Sequence, residues 1–515
     1  MSGSSTARAF YDSSFWNFIE KSSTYVSGLL LSMMLTRWLG PSEYGLYASL
    51  MSVAAIVPVL ISLGFDRALM VESAKLSAQG DGAGRLRYVI SRLVRYRAGL
   101  AVLASLIMWI GAPLLARVLH QPLAAPALRL LTLYTACACV TQLFRSLCIG
   151  LLRVRIAALI RVATDALTLA GAWIVWRHGW GVDGVIGVFA ATSALAVAGF
   201  AWGTRQDKTV TPEPMDLRPV YQIGAVAWTA ALLGLFLGKH VDILLMNLFG
   251  VPSQEIGFYN LALNLFLLGG FFGVGSGPIA QAVFARISVS QREALAAAWS
   301  STLKLLSLVT LPVFIFLGGH VHAVIQVLYT SAYHDAAVYF WVYGAFLLVF
   351  AQLGASYFDP LFYAVGKPGY VLMFQIGGGL LNLILDMALI PPLGALGACL
   401  ATGTAYLASG IAQFVMARRL VGIVPPLAFQ GKLLLASLLA LGATGFVPGM
   451  ADGVTGLLVR AGAYALVVLA LLYLLKPVES EDVELAGRIS PRLHQMAQWF
   501  SRVTPVSELA GRAVS

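Results

Sequence analysis

The chain has 515 residues, of which 59% are hydrophobic and only 11% charged, with a mean hydropathy of +0.82 and a formal net charge of +11. A soluble protein of this length carries roughly a quarter of its residues charged to cover its surface, so water is excluded as the main solvent and lipid takes its place. The positive charge is not a nucleic-acid signature, because the basic residues are dispersed through alternate short loops.

Apolar runs of about 20 residues recur from end to end, each long enough to cross the roughly 30 Å hydrocarbon layer as a helix. About fourteen are expected, with centres near Leu30, Ala54, Leu106, Cys137, Leu169, Ala191, Leu235, Leu265, Leu308, Phe346, Leu380, Ala405, Leu438 and Val468. Backbone amides have no water partner in lipid, which favours helices; the short alternating strands of a membrane barrel are absent from the sequence. The start of the chain is polar and the first span lacks a small-residue cleavage site, so no cleaved leader is expected. Six spans fill a first lobe, residues 1–204. A proline-marked connector from Thr204 to Pro219 opens a second lobe of six, residues 205–420. Two more spans occupy 421–476, and 477–515 form a cytoplasmic tail. In that tail Ile489, Leu493, Met496, Ala497 and Phe500 suit one face of an interfacial amphipathic helix, with a solvated tail as the alternative.

One set of loops holds Arg67, Lys75, Arg85, Arg87, Arg92, Arg95 and Arg97, then Arg145, Arg153, Arg155 and Arg161, then Arg205, Lys208 and Arg218, and so on to the tail. The intervening loops hold only Arg37, Arg117, Arg129, Arg177 and Arg460. Under the positive-inside rule both termini of this multi-pass chain are expected on the cytoplasmic side.

Two phrases recur in one register. Glu43, Gly45 and Tyr47 of Gly40-Pro41-Ser42-Glu43-Tyr44-Gly45-Leu46-Tyr47 each precede by 212 positions Glu255, Gly257 and Tyr259 of Gly250-Val251-Pro252-Ser253-Gln254-Glu255-Ile256-Gly257-Phe258-Tyr259. Gly181-Val182-Asp183-Gly184 echoes Gly394-Ala395-Leu396-Gly397 at a spacing of 213. This is the mark of a tandem duplication. Because six is even, the two lobes insert in the same orientation, as parallel repeats about a pseudo-twofold axis along the membrane normal. The expected fold is thus an all-α integral membrane protein with two six-helix lobes and two C-terminal helices.

Ionisable side chains inside a span are costly and face a wet cavity or a partner. Those within the expected spans are Glu20, Lys21, Asp165, Lys239, His240, Asp242 and Asp386; Arg145 interrupts the fourth span. Lys239 lies near the midplane, and Lys239 and Asp242 are three residues apart, able to share a face and pair. A cation lining a central cavity and a charge pair that only ties helices together are the two readings. His240 suits packing as well as proton transfer. For Lys21, Arg67 and Arg145 the alternative to a cavity role is contact with the cytoplasmic surface or lipid headgroups. For Asp165 and Asp386 it is a structural pairing. The glycine run Gly269–Gly277 before Pro278 suits either a gate or close helix packing, as does Gly377-Gly378-Gly379. The four cysteines have no zinc spacing and read as small core residues. A phosphate loop of the Gly-x-x-x-x-Gly-Lys-[Ser/Thr] type and the His-Glu-x-x-His pattern are both missing from the sequence. No enzyme activity, catalytic residue, metal or resident cofactor is therefore expected, and energy comes from a H+ or Na+ gradient, the membrane potential or the substrate gradient.

Trp38-Leu39-Gly40-Pro41-Ser42-Glu43-Tyr44-Gly45-Leu46-Tyr47-Ala48, Leu63-Gly64-Phe65-Asp66-Arg67-Ala68, Val241-Asp242-Ile243-Leu244-Leu245 and Glu255-Ile256-Gly257-Phe258-Tyr259-Asn260 resemble the Wzx-like polysaccharide flippases of the MOP superfamily. Phe284-Ala285-Arg286-Ile287-Ser288 departs from that pattern at Ala285, where proline is expected. The resemblance implies translocation of polyprenyl-diphosphate-linked oligosaccharide from the cytoplasmic to the periplasmic leaflet by alternating access. It implies a cavity in which Lys239, Lys21, Arg67, Arg145 and His240 attract the anionic head, with Asp242, Asp165, Glu20 and Asp386 as charge partners or ion-coupling groups. The partners it implies are the lipid-linked oligosaccharide, membrane lipid and a polysaccharide polymerase or export machinery, with no nucleic acid. Three rivals stand beside it: a multidrug exporter of the same superfamily, a peptidoglycan-precursor flippase, and a membrane polysaccharide polymerase or ligase, which needs an outer loop with clustered Arg and His. The loop Gly319–Asp335 has His320, His322 and His334 but no Lys or Arg.

Overall fold

Long apolar stretches fold as helices, some with proline inside them, such as Pro113 within Ala83–Val118. The computed structural model describes residues 3–79, 82–205, 210–274, 280–281, 283–284, 287, 291–445, 453–477, 483, 495 and 498–501, with side chains for these except 3–11, 14, 123 and 267–274. Among the described residues there are α-helices and two single-turn 3-10 segments, and no β-strand. The first nine helices are α1 (Gly3–Leu60), α2 (Phe65–Ala78), α3 (Ala83–Val118), α4 (Ala125–Gly150), α5 (Val154–His178), α6 (Gly181–Gly203), α7 (Arg218–Leu235), α8 (Lys239–Leu248) and α9 (Ser253–Val274). Arg292–Gly319, Val321–Leu328, Ala336–Gln352, Ala355–Ala364, Pro368–Val421, Leu427–Thr444 and Val454–Leu475 follow.

Ten helices among the described residues are long and apolar enough to span a membrane, and α7 with α8, bent by 54°, makes a broken eleventh. The expected fourteen are not matched one for one, and the reason is local. In α1 the arms around Leu30 and Ala54 run together through a kink at Gly40, and in Pro368–Val421 the arms around Leu380 and Ala405 run together through a kink at Gly394. Large apolar side chains such as Ile110, Leu466 and Leu474 are more than two-thirds exposed, the surface of a chain whose solvent is hydrocarbon.

The chain divides into two compact units. One comprises Met1–Leu261 and Gly379–Thr402, the other Ala262–Gly378 and Gly403–Ser515. In the first, α3, α4, α5 and α6 pack on one another and α1 packs on α5. One core cluster holds Phe65, Leu69, Val89, Leu93, Leu143 and Leu147. In the second, Trp299, Leu303, Phe358, Phe362 and Ile423 form a core. Leu427–Thr444 and Val454–Leu475 pack against each other and against Leu311, with Phe500 alongside. Gln430 Nε2 donates to the Gln352 carbonyl at 2.8 Å there. The expected amphipathic tail positions Ile489, Leu493, Met496 and Ala497, the gate-like run from Gly269 to Pro278 apart from its backbone up to Val274, and Ala285 lie outside the described residues.

The internal repeat has a physical expression inside the first unit. Gly181 and Gly394, which the repeat equates, have φ of +58° and +57°, a region only glycine enters freely. Gly40 and Gly250 open the two copies of the longer phrase at +71° and +73°. The two copies also touch each other reciprocally. A Cβ on Gly45 would overlap the Ser253 carbonyl, and a Cβ on Gly257 would overlap the Pro41 carbonyl; Pro41 and Ser253 are themselves 212 apart, like Gly45 and Gly257. The glycines are therefore required by a close backbone approach, not by a bend.

Arg97 is a second organising residue, and only 1% of it is exposed. It donates to the Ile61 carbonyl at 2.9 Å, the Cys139 carbonyl at 3.1 Å and Asp66 Oδ2 at 3.3 Å, tying the end of α1 and α2 to α3 and α4. Burial pushes the Asp66 carboxyl up from its ordinary value, and the Arg97 guanidinium opposes that shift.

Gly45→Ala is expected to cost about 1–3 kcal/mol through overpacking, while Gly111→Ala, where no atom lies within 4 Å of a new Cβ, leaves the protein unchanged; thermal unfolding in detergent compares them. Arg97→Met is expected to cost about 2–4 kcal/mol by removing the hydrogen bonds of a buried guanidinium and leaving the half-buried Asp66 carboxylate unpaired. Arg97→Met combined with Asp66→Leu should recover part of that loss in the same measurement.

Candidate functional site

Four helices of the first unit, α1, α4, α5 and α6, enclose a cavity of about 660 Å³. Each contributes one stripe at helical spacing: Glu20, Lys21, Thr24, Ser27 and Leu31 from α1, Tyr134, Ala138, Thr141 and Arg145 from α4, Arg161, Thr164, Asp165 and Thr168 from α5, and Phe189, Thr192, Ala196 and Phe200 from α6. A polar stripe on an otherwise apolar membrane helix is retained where it lines water.

The charges in this cavity are partly matched. Arg145 Nε meets Glu20 Oε1 at 2.5 Å, and Arg161 Nε meets Asp165 Oδ1 at 3.0 Å. Ser23 Oγ donates to Asp165 Oδ2 at 2.9 Å. Glu20 is 4% exposed, yet its Oε2 has no hydrogen-bond partner. Lys21 lines the same space and joins no ion pair among the described residues. With three cations (Lys21, Arg145, Arg161) against two carboxylates (Glu20, Asp165), the lining is net cationic. Arg155 stacks over Trp16, 5.4 Å from its centroid. The chemistry of this lining suits an anion: an oxyanion with several oxygens would pair with Lys21 and compete with Glu20 and Asp165 for the two guanidinium forks.

A second polar centre, in the same unit, lies at the break between α7 and α8. Gly234 and Gly238 bracket the break, and it frees carbonyls that water cannot reach in lipid. Asn382 Nδ2 answers one of them, donating to the Phe236 carbonyl at 2.9 Å. The same amide donates to Asp386 Oδ2 at 2.9 Å and to Asp242 Oδ1 at 3.3 Å. Asp242, fully buried, also accepts from Tyr259 Oη at 2.5 Å and Thr402 Oγ1 at 2.8 Å. Asn382 Oδ1 and Asp386 Oδ1 are buried and have no partner. Two carboxyls with two orphaned oxygens beside a broken helix are a donor set suited to a small cation. Lys239 Nζ donates to Asn260 Oδ1 at 3.1 Å, and His240 Nδ1 lies 3.2 Å from Ser52 Oγ.

The structure thus separates the residues singled out in the sequence. Glu20, Lys21, Arg145 and Asp165 come together in the cavity. Lys239, His240, Asp242 and Asp386 surround the α7–α8 break, and Asp242 takes its hydrogen bonds from Tyr259, Thr402 and Asn382. Arg67 is exposed on α2 and lines no part of the cavity. Sequence reasoning missed Arg161 as a cavity residue by counting it with the loop arginines; its i,i+4 spacing to Asp165 on an apolar run was the available signal. Thr164 and Thr168 on α5 and Thr192 with Ser193 on α6 were missed as well, since isolated hydroxyls are ordinary in membrane helices. His322 and His334 stack with centroids 4.0 Å apart and planes 14° apart, so their in-plane lone pairs run parallel and do not converge on one atom. Among the described residues no group of three or more His, Cys, Asp or Glu is placed to hold a metal ion.

Comparison with known proteins matches this architecture. The family model described as "Polysaccharide biosynthesis protein" matches residues 34–338. The chain belongs to that family and is a multi-pass membrane protein with the fold of MOP-superfamily transporters. It is similar to the lipid II flippase MurJ in an inward closed conformation, at 17% identity over 89% of this chain and 97% of that one, with a TM-score of 0.69. It is also similar to an inward-facing multidrug resistance MATE transporter, at 14% identity over 78% of this chain and 94% of that one, with a TM-score of 0.63. A third similar structure is a MOP-superfamily transporter from Pyrococcus furiosus, described as having a binding pocket of reversed polarity, at 16% identity over 80% and 95% of the two chains and a TM-score of 0.55. A search of the curated proteins finds no sequence match.

Proposed function

We propose that the protein is a flippase that carries a polyprenyl-diphosphate-linked oligosaccharide, the repeat unit of a surface polysaccharide, from the cytoplasmic to the periplasmic leaflet of the bacterial inner membrane. The observation that carries this reading is the cavity with Lys21, Arg145 and Arg161 on its wall, within a family tied to polysaccharide biosynthesis. A glycan diphosphate cannot cross hydrocarbon unaided, because its polar groups would lose water with nothing in return. A hydrated chamber whose guanidinium groups exchange carboxylate partners for diphosphate oxygens supplies the replacement, while the lipid tail remains in the bilayer. Net positive charge favours an anionic head over the cationic drugs that a multidrug exporter takes.

Asp242, Asp386, Asn382 and Thr402 hold the coupling cation, Na+ or H+, in this reading. The two buried oxygens without partners support it. Occupation of that site would change the charge at the end of α7 and the beginning of α8, where the helix is already broken. Both termini face the cytoplasm, in keeping with the charge asymmetry of the loops. A polysaccharide polymerase or export machinery receives the product.

A second reading, a peptidoglycan-precursor flippase, draws on the similarity to MurJ and uses the same diphosphate chemistry. Gene inactivation separates the two: loss of surface polysaccharide with normal growth supports the first, and loss of viability the second.

Reconstitution into vesicles with a defined lipid-linked oligosaccharide tests the reading, with glycan exposure followed by an added glycosidase. Transfer should exceed that of protein-free vesicles, and Lys21→Gln should slow it about tenfold or more, the loss of one charge-assisted contact; transfer at the protein-free rate by the unaltered protein would defeat it. An imposed Na+ or H+ gradient should change the rate of the unaltered protein, and Asp386→Asn should abolish that response. A gradient response that survives Asp386→Asn removes this carboxyl from coupling.

A further inference from the structure

The cavity is graded along its length. Its charged lining residues, Glu20, Lys21, Arg145, Arg161 and Asp165, run from the end where α4 finishes and α5 begins as far as Asp165, midway along α5. From Lys21 to Leu31 on α1, and from Arg145 back to Tyr134 on α4, the lining continues for about 15 Å of helix without another charged side chain.

What lines the far half is hydroxyl and ring. Thr168 Oγ1 donates to Thr192 Oγ1 at 3.1 Å, and the ring of Tyr134 lies 5.5 Å from that of Phe189 at 54°. Ser193 lies beside them on the wall. The Thr141 hydroxyl is buried and has no partner. A hydroxyl both donates and accepts, whereas a carboxylate only accepts and an ammonium only donates. A wall of hydroxyls and aromatic faces therefore complements a ligand that is itself a ring with hydroxyls on its rim and C–H groups on its faces.

We propose that this far half is a subsite for uncharged carbohydrate, which takes the sugar next to the diphosphate while the diphosphate stays at the charged end. The inference rests on the flippase reading above and adds to it an orientation and a selectivity. The anionic link is held where the lipid tail can remain in the leaflet, and the sugar points inward along α4. A neutral hexose fits the hydroxyl wall. A uronic acid in that position would set its carboxylate near Asp165, which already engages Arg161, and burying a carboxylate that lacks a free cationic partner is costly. A site built from hydrogen-bonding groups discriminates strongly against a ligand that leaves them unmatched.

The test uses the full chain purified in detergent and three soluble probes: farnesyl diphosphate, its diphospho-glucose derivative and its diphospho-glucuronate derivative. Binding is measured by calorimetry. The glucose probe should bind about tenfold more tightly than farnesyl diphosphate, a gain of one or two net hydrogen bonds, and the glucuronate probe should show no such gain. Thr168→Val, which keeps the side chain's shape, should erase most of the tenfold ratio. Tyr134→Phe should reduce it as well, and serves as the second variant if Thr168→Val fails to fold. Equal binding of the glucose and glucuronate probes, or a ratio untouched in folded Thr168→Val and Tyr134→Phe, overturns the inference and leaves the flippase reading standing. If the unaltered protein binds none of the three probes, the flippase reading falls and takes the inference with it.

Discussion

A helix that stops inside a lipid-facing bundle leaves backbone groups with no water to meet, and the first unit of this protein is organised by the ways in which those groups are met. The carbonyls at the end of α1 receive Trp228 Nε1 at Val59 and Leu60, at 3.0 and 3.1 Å, and Arg97 at Ile61. The carbonyl of Phe236, at the end of α7, receives Asn382. The carbonyl of Asn247, near the end of α8, lies 2.8 Å from His120 Nδ1. At the kink in Pro368–Val421, the Ala395 amide donates to Glu255 Oε2 at 3.4 Å. Trp228, Arg97, Asn382 and Glu255 come from other helices and His120 from the turn after α3, so every break is also a tie between distant parts of the chain. The polar residues cannot be read separately from the breaks, and the polar groups around Asp242 inherit their positions from that requirement.

This explains which parts of the protein were legible in its sequence. Helicity and membrane residence follow from composition. The duplication follows from Glu43-x-Gly45 and Glu255-x-Gly257, because the reciprocal approach of Gly45 to Ser253 and Gly257 to Pro41 tolerates no side chain there. Glu20, Lys21, Arg145 and Asp165 stood out because a charge within an apolar run needs a reason. Arg97 did not stand out, because it follows Arg92 and Arg95 in a run that reads as a basic loop; only the turn of α3 shows that it alone is buried. The arms on either side of Gly40 and of Gly394 read as separate spans in the sequence, whereas the structure runs each pair into one helix across a single residue's φ.

The separation of two polar centres was the least legible feature. Lys239 and Asp242 sit in one short sequence with His240 and invite a single assignment, yet their hydrogen bonds lead to Asn260 and to Tyr259, Thr402 and Asn382, residues far along the chain. Long-range partners of this kind leave no local pattern. The cavity between α1, α4, α5 and α6 is the opposite case: its stripes are local, but hydroxyl residues at helical spacing carry too little contrast against an apolar background to be noticed one helix at a time.

The pairing of Arg145 with Glu20 and of Arg161 with Asp165 has a consequence for what the chamber ignores. At either guanidinium a monovalent ion such as chloride gains little, since displacing the internal carboxylate exchanges one single negative charge for another at the expense of its own hydration, and only Lys21 is open to it. A ligand carrying several negative oxygens in one piece can engage both forks and Lys21 together. The two guanidinium forks thereby prefer a ligand of several joined oxygens to a small anion, without any door having to close.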